Sequence, residues 1–144
     1  MSVVTGKSAL SPVSEAVMDV LGIEAFSGAS GVCPGGVWDV VPPDQPFPYA
    51  WFLVSEVPDR TYGRFGQVLE VQLHVFTQAD GMRSGQLIMA TAISLLNASA
   101  PSVTGFAFQY LDHLGTVPMA TFLVDNIRTY DLQARFEVLV METD

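Results

Sequence analysis

From Gln67 to Thr77 the chain alternates: Leu69, Val71, Leu73 and Val75 fall on one side of an extended backbone, and Glu70, Gln72 and His74 on the other. That period of two predicts a strand buried on one face only. The apolar run Tyr49 to Val54 precedes it, so the two runs read as an antiparallel hairpin. Their connection, Pro58 to Gly66, is longer than strand reversal needs. It carries Arg60, Thr61, Tyr62, Arg64 and Phe65, exposed-type aromatics among arginines, a combination suited to anchoring a partner. These five are the candidate partner-binding residues.

Upstream, Ser11-Pro12 reads as a helix start, a capping oxygen followed by a ring with no amide hydrogen. Val13, Ala16, Val17, Val20 and Leu21 form its apolar stripe, Ser11, Glu15 and Asp19 lie opposite, and Gly22 is placed to end it in a left-handed conformation. Ser27 to Gly36 is too rich in glycine for regular structure. Val37 to Val41 is a short strand candidate, and the proline-studded lead-in Pro42, Pro43, Pro46, Pro48 is expected to be extended.

Downstream of the hairpin, Ala79-Asp80-Gly81 opens a second helix with Asp80 as its cap. Arg83, Gln86, Ala90, Ser94 and Asn97 mark its polar line, Ile88, Met89, Ala92, Ile93, Leu95 and Leu96 its buried side, and Pro101 its stop. A strand from Phe106 to Leu114 follows, with Phe106, Phe108 and Tyr110 on one face. The last strand runs from Tyr130 to Met141, with Leu132, Ala134, Phe136, Val138 and Val140 inward and Gln133, Arg135 and Glu137 outward. Between them, Thr116 to Ile127 shows neither period; its apolar Phe122-Leu123-Val124 fits a strand, a short helix or an arm lying on a neighbour. The expected fold is α+β: one domain over residues 1–144, a mainly antiparallel four- to five-stranded sheet with two helices packed on one face.

Composition sharpens this into an expectation about assembly. Charged residues are 15% of the 144 and hydrophobic residues 49%, against about 25% charged in an average soluble domain. Such a surface is short of charge, which suits a subunit that buries part of itself against other chains. A net charge of −9, with only six scattered bases, argues against nucleic-acid binding. The N-terminus lacks a basic segment followed by an apolar one, and no apolar run approaches ~20 residues, so neither secretion nor membrane spanning is expected. The single cysteine, Cys33, fits a reducing compartment, and the product is expected to begin in the cytoplasm.

Catalytic and metal chemistry find no constellation in the sequence. His74, His113 and Cys33 are not spaced as a ligand set, so no metal and no cofactor are expected. The two histidines read as ordinary surface side chains and Cys33 as a structural thiol. Asp112-His113 lacks a strand-turn-helix elbow to present a nucleophile. The glycines from Gly28 to Gly36 do not spell a phosphate-binding loop. Asn97-Ala98-Ser99 matches a glycosylation acceptor only in form, and the strand positions of Trp38 and Trp51 favour core packing over a ligand cavity.

The arrangement resembles the tail-terminator, or tail-completion, proteins of long-tailed non-contractile bacteriophages and gene-transfer particles. The resemblance rests on the N-terminal helix, the approach Pro42 to Tyr49, the long loop after Glu56, the strand Val68 to Phe76, the helix beginning near Gly81 and the closing strand Arg135 to Val140. It departs in a middle helix poor in acids and in the apolar segment Phe122 to Val124. The resemblance implies a structural virion protein rather than an enzyme: a hexameric ring that terminates the tail tube, contacts the major tail tube protein and a head-closure or neck protein, and lets DNA pass its lumen without sequence-specific binding. It would reside in the virion tail or neck after assembly in the host cytoplasm. Another head-tail joint protein, such as a head-closure or minor tail protein, and a small α+β ligand-binding domain or enzyme are the alternatives.

Overall fold

The computed structural model describes residues 8–57, 66–78, 82–99 and 101–143. The two alternating segments pair as expected: β2 (Tyr49–Glu56) and β3 (Gly66–Thr77) are antiparallel, with Ala50 opposite Val75 and Phe52 opposite Leu73. A short β1 (Val37–Trp38) runs parallel to β2. The last two strands, β4 (Phe106–Val124) and β5 (Ile127–Glu142), form a second long hairpin. The sheet order is β1-β2-β3-β5-β4, so it is mixed, with only the β1–β2 pair parallel.

Leu69, Val71, Leu73 and Val75 stand beside Val138, Phe136, Ala134 and Leu132 of β5. All eight are buried and belong to one core cluster. Helices α1 (Leu10–Leu21) and α3 (Met82–Ala98) cover that face, inserting Val13, Ala16, Val17 and Leu21 from one and Ile88, Met89, Ala92 and Leu96 from the other. The stripes read from the sequence are therefore the packed ones. A third helix, α2 (Glu24–Ser27), was not foreseen; its single turn carries Phe26 into the core.

Several local expectations fail for identifiable reasons. Ser11 lies inside α1, whose N-cap is Ala9. The free amides there are met by Gln67 Oε1, 3.0 Å from Ala9 N, and by Ser8 Oγ, 3.3 Å from Leu10 N. Gly22 ends α1 at φ −79°, not left-handed, and donates its amide to Met18 O at 2.7 Å. β1 stops at Trp38 because Asp39 Oδ1 accepts from Val40 N at 2.8 Å, which bends the chain away from the ladder. The lead-in turns at Pro43-Asp44, with Asp44 at φ 58°. Asp44 does not precede a proline, so the extended bias never applied to it. The expected cap Asp80 lies outside the described residues.

The largest correction concerns β4. It does not end near Leu114 but continues to Val124, which makes Phe122-Leu123-Val124 a strand. Its register against β5 slips between Phe108 and Tyr110, His113 and Gly115, and Pro118 and Ala120. Each slip is a bulge that leaves one residue unpaired and reverses the alternation. Phe106 and Phe108 therefore face the core side, while Tyr110, past the first bulge, faces the other way and donates to Glu137 Oε2 at 2.9 Å.

Candidate assembly surface

On the sheet face opposite the helices, the outward residues of β3 and β5 form a bonded polar strip. Gln133 Nε2 donates to Gln72 Oε1 at 3.0 Å, His74 Nδ1 lies 2.8 Å from Asp131 Oδ1, and Arg135 pairs with Glu70. The Glu70 carboxylate, by hydrogen bond and charge, raises the Arg135 pKa. Tyr49 also titrates above its usual range, through burial and the nearby Asp131 charge. His74 is not the surface side chain the sequence suggested: it is 8% exposed, with the Trp51 ring 5.0 Å and the Phe76 ring 5.9 Å away. Trp51 thus belongs to this open face rather than to the core, with its indole N–H on Asp39 O at 3.0 Å. Trp38 is half-buried at the first strand and donates to Gly35 O at 2.9 Å.

His113 is exposed in mid-strand, 2.8 Å from Thr116 Oγ1. Cys33 is fully buried among core side chains, and burial pushes its thiol up to about 12, the setting of an inert sulfur. Among the described residues no three His, Cys, Asp or Glu side chains gather as a metal site would require. No helix of the described residues is long and apolar enough to cross a membrane. The loop residues Arg60, Thr61, Tyr62, Arg64 and Phe65 lie outside the described residues.

What the sequence undervalued is the far half of β4. β3 pairs with β5 no further than Thr77 opposite Tyr130, yet the β4–β5 hairpin runs on through Phe122–Thr129 and Leu123–Arg128 to Val124–Ile127. At about 3.3 Å per residue the overhang reaches roughly 10 Å beyond the third strand. It closes on Asp125 and Asn126 with φ 51° and 64°, the left-handed pair of a tight type I′ hairpin turn, to which Asp and Asn are suited. From His113 to Val124 the chain has no Asp, Glu, Lys or Arg. Leu114, Val117, Met119, Phe122, Leu123 and Ile127 are all exposed. Two of them, Leu114 and Met119, are residues that the bulges leave unpaired.

A second apolar surface lies at the same end of the sheet, where Phe47 and Gln78 also line a cleft with Phe122, Val124 and Ile127 of the hairpin. Val32, Phe47, Pro48, Thr77, Gln78 and Leu87 line most of a groove of about 460 Å³ between the start of β2, the end of β3 and α3. Its described lining residues are all uncharged, and Leu87 at its rim is 64% exposed. Two exposed apolar surfaces on one small chain suit a subunit that is covered in use.

Residues 11–140, nearly the full length, match the family described as tail completion protein gp17. The chain belongs to that family. It is a structural protein of a phage-type virion tail. Its fold is similar to that of a solved chain from the virion of native gene transfer agent (GTA) particle, at 21% identity and TM-score 0.66, covering 92% of this chain and 99% of that one. A second solved chain is similar at 15% identity and TM-score 0.50, over 89% of this chain and 94% of that one. These likenesses concern the fold. A comparison with curated proteins gives no match.

Proposed function

We propose that this tail completion protein forms a closed hexameric ring at the head-proximal end of the tail tube, where it ends the tube and joins it to the head or neck. Membership of the tail completion family over residues 11–140 is the observation that carries this reading. The charge-poor composition and the two exposed apolar surfaces support it, since a ring closes when one heterologous contact repeats by rotation. In this reading the ring contacts the major tail tube protein on one side and a head-closure or neck protein on the other, and the subunit is made and assembled in the host cytoplasm. DNA passes the lumen without being held, because a subunit of net charge −9 repels phosphate. The protein acts by shape and contact and performs no catalysis.

The test is removal of the gene from a producing strain, with electron microscopy of what accumulates. The expected result is filled heads and separate tails that fail to join, rescued by supplying the protein in trans. Joined, DNA-delivering particles at normal yield without the protein would refute the reading.

A further inference from the structure

Phe47 and Gln78 line both the groove along α3 and the cleft at the β4–β5 tip, so the two spaces, of about 460 and about 450 Å³, adjoin as one trough. Its two ends differ. In the groove Val32, Pro48, Leu87 and Ile88 are apolar. The cleft adds the rings of Tyr49 and Phe122 to that of Phe47, with the Phe47 and Tyr49 centroids 5.2 Å apart. Its described charged lining residues are both acids, Asp44 and Asp125.

The two acids reach the cleft from separate parts of the chain. Asp44 sits in the proline-rich segment at φ 58° and Asp125 in the hairpin turn at φ 51°. Neither carboxylate has a hydrogen-bond or ion-pair partner among the described residues. The base closest to Asp125 in sequence does not offset it. Arg128 stands opposite Leu123 in the hairpin, whereas the cleft is faced by Phe122, Val124 and Ile127, so Arg128 belongs to the other side of the ribbon.

The neutral polar groups are turned to accept as well. Gln45 Nε2 donates to Gly35 O at 2.7 Å, which leaves Gln45 Oε1 for another donor. Gln78 Nε2 donates to Thr129 Oγ1 at 3.1 Å, and the Thr129 hydroxyl passes its own proton to Ile127 O, so Gln78 Oε1 is the atom left over. Two carboxylates, two oriented amide oxygens and aromatic faces make a receptor for a cation. A guanidinium suits it better than an ammonium, because it offers five N–H donors to the oxygens and a flat face to the rings. The apolar groove alongside selects a cation that arrives with an apolar neighbour. Copies of this chain, at net charge −9, are poor sources of such a segment.

We propose that the trough binds an arginine-bearing segment of a different virion protein, with the guanidinium in the cleft between Asp44 and Asp125 and an apolar side chain in the groove against Leu87. The assignment stands apart from the ring reading: rings whose troughs bind no arginine would refute it alone, and a trough that binds arginine in a chain forming no ring would leave it standing.

The test begins with the purified full chain and two blocked tripeptides, acetyl-Leu-Ser-Arg-amide and its neutral twin with citrulline in place of arginine. In an extended peptide the first and third side chains share one side. Backbone amide chemical shifts in NMR spectra follow the binding. The arginine peptide should move the signals of Gln45, Phe47, Gln78 and Asp125 saturably and bind about tenfold more tightly than the citrulline peptide. In the double variant Asp44→Asn, Asp125→Asn that advantage should vanish; Asn tolerates the left-handed backbone at both positions, so the variant folds. Equal binding of the two peptides, shifts confined to other surfaces, or an undiminished advantage in the double variant would each overturn the site. A second arm identifies the source. With a benzophenone analogue of phenylalanine replacing Phe122, irradiated particles should yield a link to an arginine-bearing peptide of another virion protein. A link only to a second copy of this chain, or none in joined particles, would overturn the partner assignment.

Discussion

His74 Nδ1 lies 2.8 Å from Asp131 Oδ1 across the β3–β5 pair, on the face that the helices leave open. The carboxylate accepts, so the imidazole carries its hydrogen on Nδ1, and Nε2 is left facing the Gln133 amide nitrogen at 3.5 Å. With side chains only 10% and 14% exposed, neither partner has free access to water as a substitute. Asp131→Ala should therefore cost about 1–3 kcal/mol, the range for leaving a buried donor without its acceptor. Denaturant unfolding measures this. The double change to His74→Phe and Asp131→Ala should recover part of the loss, and a loss under ~0.5 kcal/mol in the single variant would mean that solvent replaces the bond.

Gly35 passes so close to the proline-rich segment that its amide donates to Pro48 O at 2.9 Å. A Cβ there would sit 2.0 Å from Pro48 O and 2.6 Å from Pro46 O, both backbone atoms that no rotamer change can move. Gly35→Ala is expected to destabilise by about 1–3 kcal/mol, as overpacking does. Thermal unfolding of the purified variant checks it, and an unchanged midpoint would contradict the close approach.

Cys33 gives a pH dependence with a definite sign. Burial raises its thiol from 9.0 to about 12, so above pH 9 the unfolded chain ionises while the folded chain holds its proton. Stability from this group is complete below about 9 and is lost as pH rises toward about 12. Unfolding free energies of the protein and of Cys33→Ala, measured from pH 8 to pH 11, should fall with different slopes, the unmodified protein more steeply. Equal slopes, or rapid alkylation of the native thiol at pH 8, would show the sulfur to be accessible.

The Pro58 to Gly66 segment supplies a functional prediction from sequence. Tyr62→Ser together with Phe65→Ser removes the two aromatics proposed to anchor a partner, which fall outside the apolar alternation of the flanking segments in the sequence. The subunit should keep its circular dichroism spectrum and unfolding midpoint, while the yield of joined particles falls about tenfold or more. Normal yield would show that the loop takes no part in joining.

The segments with the strongest periods fold most nearly as read. Leu69 to Val75 and Leu132 to Val140 alternate without interruption because each strand is buried on one face along its length, and Ile88 to Leu96 repeats at helical spacing because α3 packs on one side. β4 defeated the same reasoning because its alternation reverses at Gln109, Leu114 and Met119; a strand with three bulges has no single period to find. The apolar arm was visible in composition as Phe122 to Val124, but its overhang follows from where β3 stops, which only the paired strands reveal. Likewise the start of α1 depends on Gln67, 58 residues away from the amide that it caps, and no local signal carries that. His74 looked solvated because its own strand is half polar, whereas Trp51 and Phe76 close over it from neighbouring positions.

The central claim is a ring of this chain between tail tube and head, and electron cryo-microscopy of joined particles tests it most directly. The account predicts a closed six-fold ring at the head-proximal end of the tube, into each subunit of which this fold fits. Joints that lack the chain, or that hold it as a single copy, would contradict it.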